Sequence, residues 1–292
     1  MSSSEVPTPD DDAPAGAPAF DVTVANQARM YDYLLGGKDH YAVDREAAEQ
    51  AQKVWPEMAF TARANRAFLG RAVRYLTAEA GIRQFLDIGT GIPTAGNLHQ
   101  VAQSVAPETR VVYVDYDPVV LAHARALLIS SPEGATEYLD ADLRDTGKIL
   151  AEASRLLDFT RPVAVTLMAI LNAIPDFDDP YAIVATLMGA VPSGSYLSLT
   201  HMGSDLLDEE AQDGLDGMQG RMMRRRFTSR TREQVERFFA GTDLVEPGLV
   251  RVEEWRPEAL PHNTGPDNTG PDNTGPETAH RSSLWCAVGR KR

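Results

Sequence analysis

Leu86-Asp-Ile-Gly-Thr-Gly-Ile-Pro-Thr94 is the stretch that decides the fold. Residues 84–88 read as a short apolar strand, Gly89-Thr-Gly91 as a turn, and residues 94–105 as a helix. Without a β-carbon, Gly89 and Gly91 can take positive φ and let a ligand approach the backbone, while the first helical turn offers unpaired N–H groups. Pro93 suits a helix start, where its missing donor would be unpaired anyway. Taken alone, such a turn reads equally well as a tight strand-to-helix connection.

Working outward, the pattern repeats. Further strands are predicted at 110–114, ending at Asp115, at 136–139, before Asp140-Ala-Asp142, at 163–167 and at 195–200, with helices at 118–129 and 180–191. Upstream, helices are expected at 25–35, broken by Gly36-Gly37, then at 44–54 and 65–79, the last with Ala67, Phe68, Ala72, Tyr75 and Leu76 on one face. A capping box, Thr231-Arg-Glu-Gln234, opens a helix stopped at Gly241. Strands at 244–252 and 284–289 have no helix between them and predict an antiparallel hairpin. Short strands, apolar on both faces and spaced by helices, make an α/β domain with a parallel sheet covered on both sides.

Of the 292 residues, 42 are acidic and 28 basic, leaving a formal net charge of −14 that repels phosphate backbones. Arg224, Arg225, Arg226, Arg230 and Arg232 cluster locally, but a charge run of this kind reads as a solvated face, so no nucleic-acid partner is expected. The longest apolar runs, 163–171 and 182–191, fall short of the roughly 18 residues of a membrane span. Residues 1–19 lack both the basic and the apolar regions of a secretory signal and are too poor in large apolar side chains to order. A cytoplasmic protein with a disordered tail at 1–19 is the expectation. The single Cys286 excludes an internal disulfide. Three Asn-Thr-Gly-Pro units, within 262–279, predict a flexible loop inside the hairpin.

Asp115 stands at the end of the second strand, where a carboxylate accepts hydrogen bonds from both hydroxyls of a ribose. Asp142 follows the third strand on the same sheet edge, placed to meet the exocyclic amine of an adenine. The dinucleotide fingerprint requires a third small residue where Thr94 stands, preceded by Pro93, and Asp87 would repel a pyrophosphate but could hold an ammonium group. An adenosine carrying an amino acid fits this arrangement better than one carrying phosphates.

With these features the chain resembles the class I S-adenosylmethionine-dependent methyltransferases. It is more closely similar to the S-adenosyl methyltransferase family long catalogued as a domain of unknown function. The resemblance rests on Ala28-Arg-Met-Tyr-Asp-Tyr-Leu-Leu-Gly-Gly-Lys-Asp39, Phe85-Leu-Asp-Ile-Gly-Thr-Gly-Ile-Pro-Thr94, Tyr113-Val-Asp-Tyr-Asp-Pro118 and Val245-Glu-Pro-Gly-Leu-Val250, and covers residues from about 20 to 290. It implies a Rossmann-like, seven-stranded, mostly parallel sheet over residues 81–292, with an antiparallel C-terminal hairpin and an N-terminal helical lid at 20–80. It implies S-adenosylmethionine at Asp87, Gly89, Thr90, Gly91, Asp115, Tyr116, Asp142, Leu143 and Met168. It further implies substrate or lid contacts from Tyr31, Tyr33, Gly36, Gly37, Asp39, His40 and Tyr41, and a small-molecule acceptor that it does not name. The sequence departs from the family at Leu171-Asn172-Ala173-Ile174, where the family often carries a pair of histidines.

If the acceptor must lose a proton, His201, directly after the strand at 195–200, is the first candidate base, and a hydrogen-bonded structural histidine is the other reading. His40 and Asp39 are second choices, with a loop-fixing role as the alternative; His99 and His123 fall inside helices. The tyrosines serve either as lid and adenine wall or as core. Asp178-Asp179 and Asp205-x-x-Asp208 read as helix caps before they read as Mg²⁺ ligands, and no metal is expected. Two rivals stay open: an NAD(P)-dependent oxidoreductase, and a non-catalytic S-adenosylmethionine binder.

Overall fold

A computed structural model describes residues 23–94, 96–127, 130–222, 227–257 and 281–292. The tail at 1–19, the repeat loop at 262–279 and Arg224, Arg225 and Arg226 lie outside the described residues.

Strands β1 (Gln84–Ile88), β2 (Arg110–Asp115), β3 (Ala135–Asp140), β4 (Ala164–Met168) and β5 (Tyr196–Met202) run parallel in the order β3-β2-β1-β4-β5. Beyond β5 the last strand, β8 (Leu284–Lys291), inserts antiparallel, and β6 (Thr242–Leu244) pairs on its far side. The predicted strand at 244–252 is broken: β6 and β7 (Val250–Arg251) both pair with β8, separated by the cis Glu246–Pro247 bond and Gly248 at φ 86°. Two short pieces of one edge strand thus replace the simple hairpin arm, and the sheet has seven positions and eight strands.

Alternation along the strands divides the core. Leu86 and Ile88 of β1 face helices α6 (Thr146–Ala153) and α7 (Pro180–Ala190), packing with Val165, Leu167, Ile149 and Leu187. Phe85 faces the opposite layer, where α3 (Met58–Ala78) and α4 (Leu98–Val105) bring Phe68, Ala72, Leu76 and Leu98. Asp87 shares the Phe85 face by the period of two and so emerges beneath α3. Helix α5 (Pro118–Leu127) follows β2, while α8 (Glu209–Met222) and α9 (Arg232–Glu236) follow β5.

Two helix starts differ from expectation. Helix α3 begins at Met58, not at residue 65, because Met58-Ala-Phe-Thr-Ala-Arg is made of residues compatible with a helix and needs no side-chain cap. Its buried stripe is Phe68, Leu69, Ala72, Val73 and Leu76, and Ala67 is exposed. Helix α4 begins at Leu98, not at residue 94. Asn97 accepts the Thr94 N–H at 3.0 Å and its own N–H donates to Gln100 at 2.9 Å, which holds the segment from Gly89 as a loop. The glycine turn therefore does not abut a helix N-terminus.

Helices α1 (Gln27–Leu34), α2 (Ala42–Val54) and α3 make a small separate core from Met30, Leu34, Ala47, Ala48 and Ala62. Arg29 and Asp44, both buried, pair at 2.8 Å across α1 and α2. The Gly36-Gly37 break is explained by Asp32, whose buried carboxylate accepts the Asp39 N–H at 2.8 Å and meets His40 Nδ1 at 3.0 Å. A β-carbon on Gly37 would stand 1.9 Å from Asp32 Oδ1. Gly37→Ala is therefore expected to destabilise the protein by about 2–4 kcal/mol, read as a lowered midpoint in urea; an unchanged midpoint would show that the carboxylate yields freely.

Candidate functional site

A cleft opens at the carboxyl ends of β1, β2 and β4 and is walled by α1 and α3. From the strands and their loops come Asp87, Gly89, Thr90, Gly91, Asp115, Tyr116, Asp117, Met168, Ala169 and Ile170; from the helices come Asn26, Gln27, Ala28, Tyr31, Asn65, Arg66 and Leu69. A narrow slot continues from Gly89, Asp115 and Tyr116 to Ala141, Asp142, Leu143 and Ile174. Eight of the sequence candidates, Asp87, Gly89, Thr90, Gly91, Asp115, Tyr116, Met168 and Tyr31, thus meet in one cleft, and Asp142 and Leu143 line its extension.

Gly89 has φ 77°, and a β-carbon there would lie 2.4 Å from Ile170 Cγ1. Gly91, at φ 69°, faces open space instead. Its N–H donates to Asp115 Oδ2 at 2.9 Å, while the Tyr116 and Asp117 N–H groups reach Oδ1 at 2.8 and 3.0 Å. Three of the roughly four acceptor positions of the Asp115 carboxylate are therefore taken by backbone, leaving room for one further donor. Burial nevertheless raises its pKa, with these N–H groups acting in opposition.

Asp87 is 6% exposed and accepts hydrogen bonds from Thr166 Oγ1 and from Thr90 Oγ1, the latter at 3.2 Å. Loss of solvent outweighs both bonds and lifts its pKa from 3.8 to about 6. The cost of holding this anion falls if a cation joins it. Arg66 stands nearby on α3. Its Nη2 donates to Asn97 at 3.1 Å, and its Nε is buried without a partner among the described residues. A cleft with an anion awaiting a cation and a guanidinium with a spare donor is chemically suited to a zwitterionic amino-acid group. Asp142 is tied to Arg144, at 3.0 Å from the backbone N–H and 2.8 Å from Nη1.

Other candidates lie elsewhere. Tyr33 donates to Glu49 at 3.1 Å, Tyr41 packs under the Arg29 guanidinium, and Gly36, Gly37, Asp39 and His40 build the Asp32 turn; none of these lines the cleft. Asp39 also stands 3.8 Å from His123 of α5. His201 lies inside β5, not after it, and is fully buried. Arg230 Nη1 stands 2.7 Å from Nε2, and since arginine only donates, Nε2 accepts and Nδ1 carries the proton to Met202 O at 2.9 Å. Burial first, and Arg230 in addition, lower the His201 pKa to about 3. With both nitrogens engaged away from the cleft, His201 occupies a structural position. His99 is buried against the Tyr113 hydroxyl at 2.8 Å. Asp179 and Asp208 cap α7 and α8, and Asp178 pairs with Arg144 at 2.6 Å.

Sequence reading missed Asn26, Asn65, Arg66 and Asp117. Asn26 caps α1 through Ala28 N at 2.8 Å, and its amide donates to Asp117 Oδ2, joining the helical wall to the loop beside Asp115. The available signal was an asparagine, a favoured cap residue, at or beside each of the helix starts expected at 25 and 65.

Residues 14–292 match the family described as S-adenosyl methyltransferase. A DUF574-family protein from Streptomyces avermitilis is 44% identical, with 93% of this chain and 99% of that chain covered and a TM-score of 0.83. A candidate methyltransferase from Thermobifida fusca is 39% identical over 92% of this chain and 96% of its own, with a TM-score of 0.78. The plantazolicin methyltransferase BamL, solved with S-adenosylhomocysteine, shares the fold at 12% identity and a TM-score of 0.50, with 90% of this chain and 95% of that chain covered. Among curated proteins there is no match.

Proposed function

Because the chain belongs to the S-adenosyl methyltransferase family, we propose that it transfers the methyl group of S-adenosylmethionine to a small-molecule acceptor, with the cleft described above as the donor site. The observation that carries the assignment is that buried, solvent-starved Asp87 and Arg66, whose Nε lacks a partner among the described residues, line the same cleft as Asp115. Asp87 balances the amino group of the methionine moiety and Arg66 its carboxylate. The last acceptor position of Asp115 takes one ribose hydroxyl, and the slot at Ala141, Asp142, Leu143 and Ile174 holds the adenine.

The cofactor supplies an activated methyl group on a sulfonium, so the protein needs to align and desolvate more than to activate. Helix α1 closes one side of the cleft and is fastened there by the hydrogen bond from Asn26 to Asp117. Tyr31 is held by its own bond to Ala62 O at 3.0 Å and by Asn65 at 3.1 Å; burial raises its pKa above the ordinary tyrosine value, so it keeps its proton at neutral pH and positions rather than deprotonates. The His201 ring takes no part. A nicotinamide dinucleotide is disfavoured by the carboxylate at the glycine turn, which stands where a pyrophosphate would lie.

Calorimetry with S-adenosylhomocysteine and NAD in parallel tests this reading. Binding of the former alone is expected, weakened about 10- to 100-fold in Arg66→Ala, since a charge-assisted bond is worth about 1.5–3 kcal/mol. Binding of NAD in preference, or an unchanged affinity in the variant, would overturn the donor assignment. Incubation with S-adenosylmethionine and acceptor candidates separates enzyme from binder, because a binder yields no S-adenosylhomocysteine.

A further inference from the structure

A second cavity adjoins the donor cleft and shares Gln27, Tyr31, Asn65 and Ala169 with it. Its lining is mainly apolar, including Met30, Leu34, Trp55, Met58, Leu215 and Phe227, and none of the described residues lining it is charged. Two of the residues lining it, Asn65 and Trp55, each carry an enclosed polar atom with no hydrogen-bond partner among the described residues. Asn65 Oδ1 is one: the Tyr31 hydroxyl gives its proton to Ala62 O, so the Asn65 amide must donate to Tyr31, which leaves the amide oxygen without a donor. The indole N–H of Trp55 is the other. Both residues are 4% exposed. Leaving such atoms unpaired in the closed site is unfavourable, and a ligand that pairs them regains that loss.

Building on the donor assignment, we propose that this cavity is the acceptor site and that it takes an uncharged, largely apolar small molecule. The molecule carries a hydroxyl or N–H at the end beside Asn65 and an acceptor oxygen, such as a ketone, toward Trp55. Its nucleophilic lone pair forms the bond to the methyl carbon, the carbon–sulfur bond breaks with its pair kept by sulfur, and the nucleophile's proton leaves to water. Ala169, held at φ 54° with its N–H on Thr200 Oγ1 at 2.9 Å, keeps the wall between the two cavities down to a methyl group. Charged acceptors are disfavoured because none of the described residues lining the cavity carries a counter-charge, and an unpaired buried ion costs far more than its contacts return.

The test uses the full-length protein, with S-adenosylhomocysteine as donor-site ligand, 6-hydroxy-2-acetonaphthone as neutral probe and 6-hydroxy-2-naphthoate as its anionic counterpart. Expected is measurable binding of the neutral probe and on the order of 100-fold weaker binding of the anion. In Trp55→Phe, which keeps an aromatic ring but loses the N–H, neutral-probe affinity should fall about tenfold while S-adenosylhomocysteine affinity stays within about twofold. Asn65→Leu should weaken the neutral probe comparably, with melting curves confirming that both variants fold. If S-adenosylhomocysteine binds and the anion binds as well as the neutral probe, or Trp55→Phe leaves the probe unaffected, the acceptor proposal fails alone. If S-adenosylhomocysteine does not bind at all, the donor assignment fails and the acceptor proposal falls with it.

Discussion

Asp87→Asn is expected to raise the stability of the ligand-free protein and to weaken S-adenosylhomocysteine binding at the same time. At neutral pH the native state holds an ionised Asp87 whose pKa has been lifted from 3.8 to about 6. That shift of about two units, at about 1.4 kcal/mol each, costs roughly 3 kcal/mol. Asparagine keeps an oxygen for Thr166 and an amide for Thr90 while shedding the charge. A gain of about 1–3 kcal/mol, on the order of 5 °C in melting temperature, should follow, with affinity for S-adenosylhomocysteine reduced about 10- to 100-fold. A variant that loses stability, or keeps full affinity, would show that Asp87 is a structural acceptor and not the partner of the amino group.

The same substitution has a pH signature. A raised carboxylate pKa means that the folded state binds a proton between about pH 4 and 6 that the unfolded state has released, so this residue makes stability fall as pH rises through that window. His201 acts oppositely. With its pKa lowered to about 3, the unfolded state binds the extra proton between pH 3 and 6.5, and stability rises with pH. The two slopes oppose each other in the native protein. Removing Asp87 should leave the His201 slope uncovered, giving a steeper increase of unfolding free energy from pH 4 to 6, measurable by urea titration. An unchanged slope would contradict the burial of the Asp87 charge.

Gly89→Ala is the second substitution with a large expected effect. The residue sits at φ 77°, and its new methyl group would stand 2.4 Å from Ile170 Cγ1 and 2.6 Å from its Cβ, too close for a change of rotamer to relieve. Backbone strain and overlap together should cost about 2–4 kcal/mol. Because Gly89 and Ile170 line both the cleft and the slot, relaxation would have to move the wall of the donor site, and S-adenosylhomocysteine binding should be lost. Gly91→Ala separates strain from overlap, since none of the described residues lies within 4 Å of its would-be β-carbon. It should cost only the backbone term of about 1 kcal/mol. Equal losses in the two variants would mean that the Ile170 contact is unimportant.

The parallel strands were legible because each is a short apolar run followed by a polar turn, and the turn at Gly89 located the cleft on the sheet. Asp87, Asp115 and Tyr116 could be named because a strand end fixes where its next residue lies. The helical wall was harder to read. Asn65 marked the start of a helix in sequence, yet it stands inside α3, seven residues after Met58, with its side chain spent on Tyr31. Polar residues of this kind disfavour helix interiors, so their presence there marks a site only once the true start of the helix is known. His201 misled for a related reason: the strand ends two residues later than expected, at Met202, and draws it into the sheet, where Arg230 and Met202 occupy both ring nitrogens. The segment from Gly36 to His40 was expected to give substrate or lid contacts, yet Gly37 and the Asp39 N–H lie against the carboxylate of Asp32. Short-range pattern fixes which residues are special; only packing tells whether they serve the ligand or the chain.

The most direct measurement is a crystal structure of the protein with S-adenosylhomocysteine. The account predicts a ribose hydroxyl within hydrogen-bonding distance of Asp115, the adenine beside Leu143 and Ile174, the amino group at Asp87 and the carboxylate on Arg66. It further predicts that the sulfur faces the apolar cavity across Ala169. Density for the ligand outside the cleft, or with its amino-acid end turned away from Asp87 and Arg66, would contradict it.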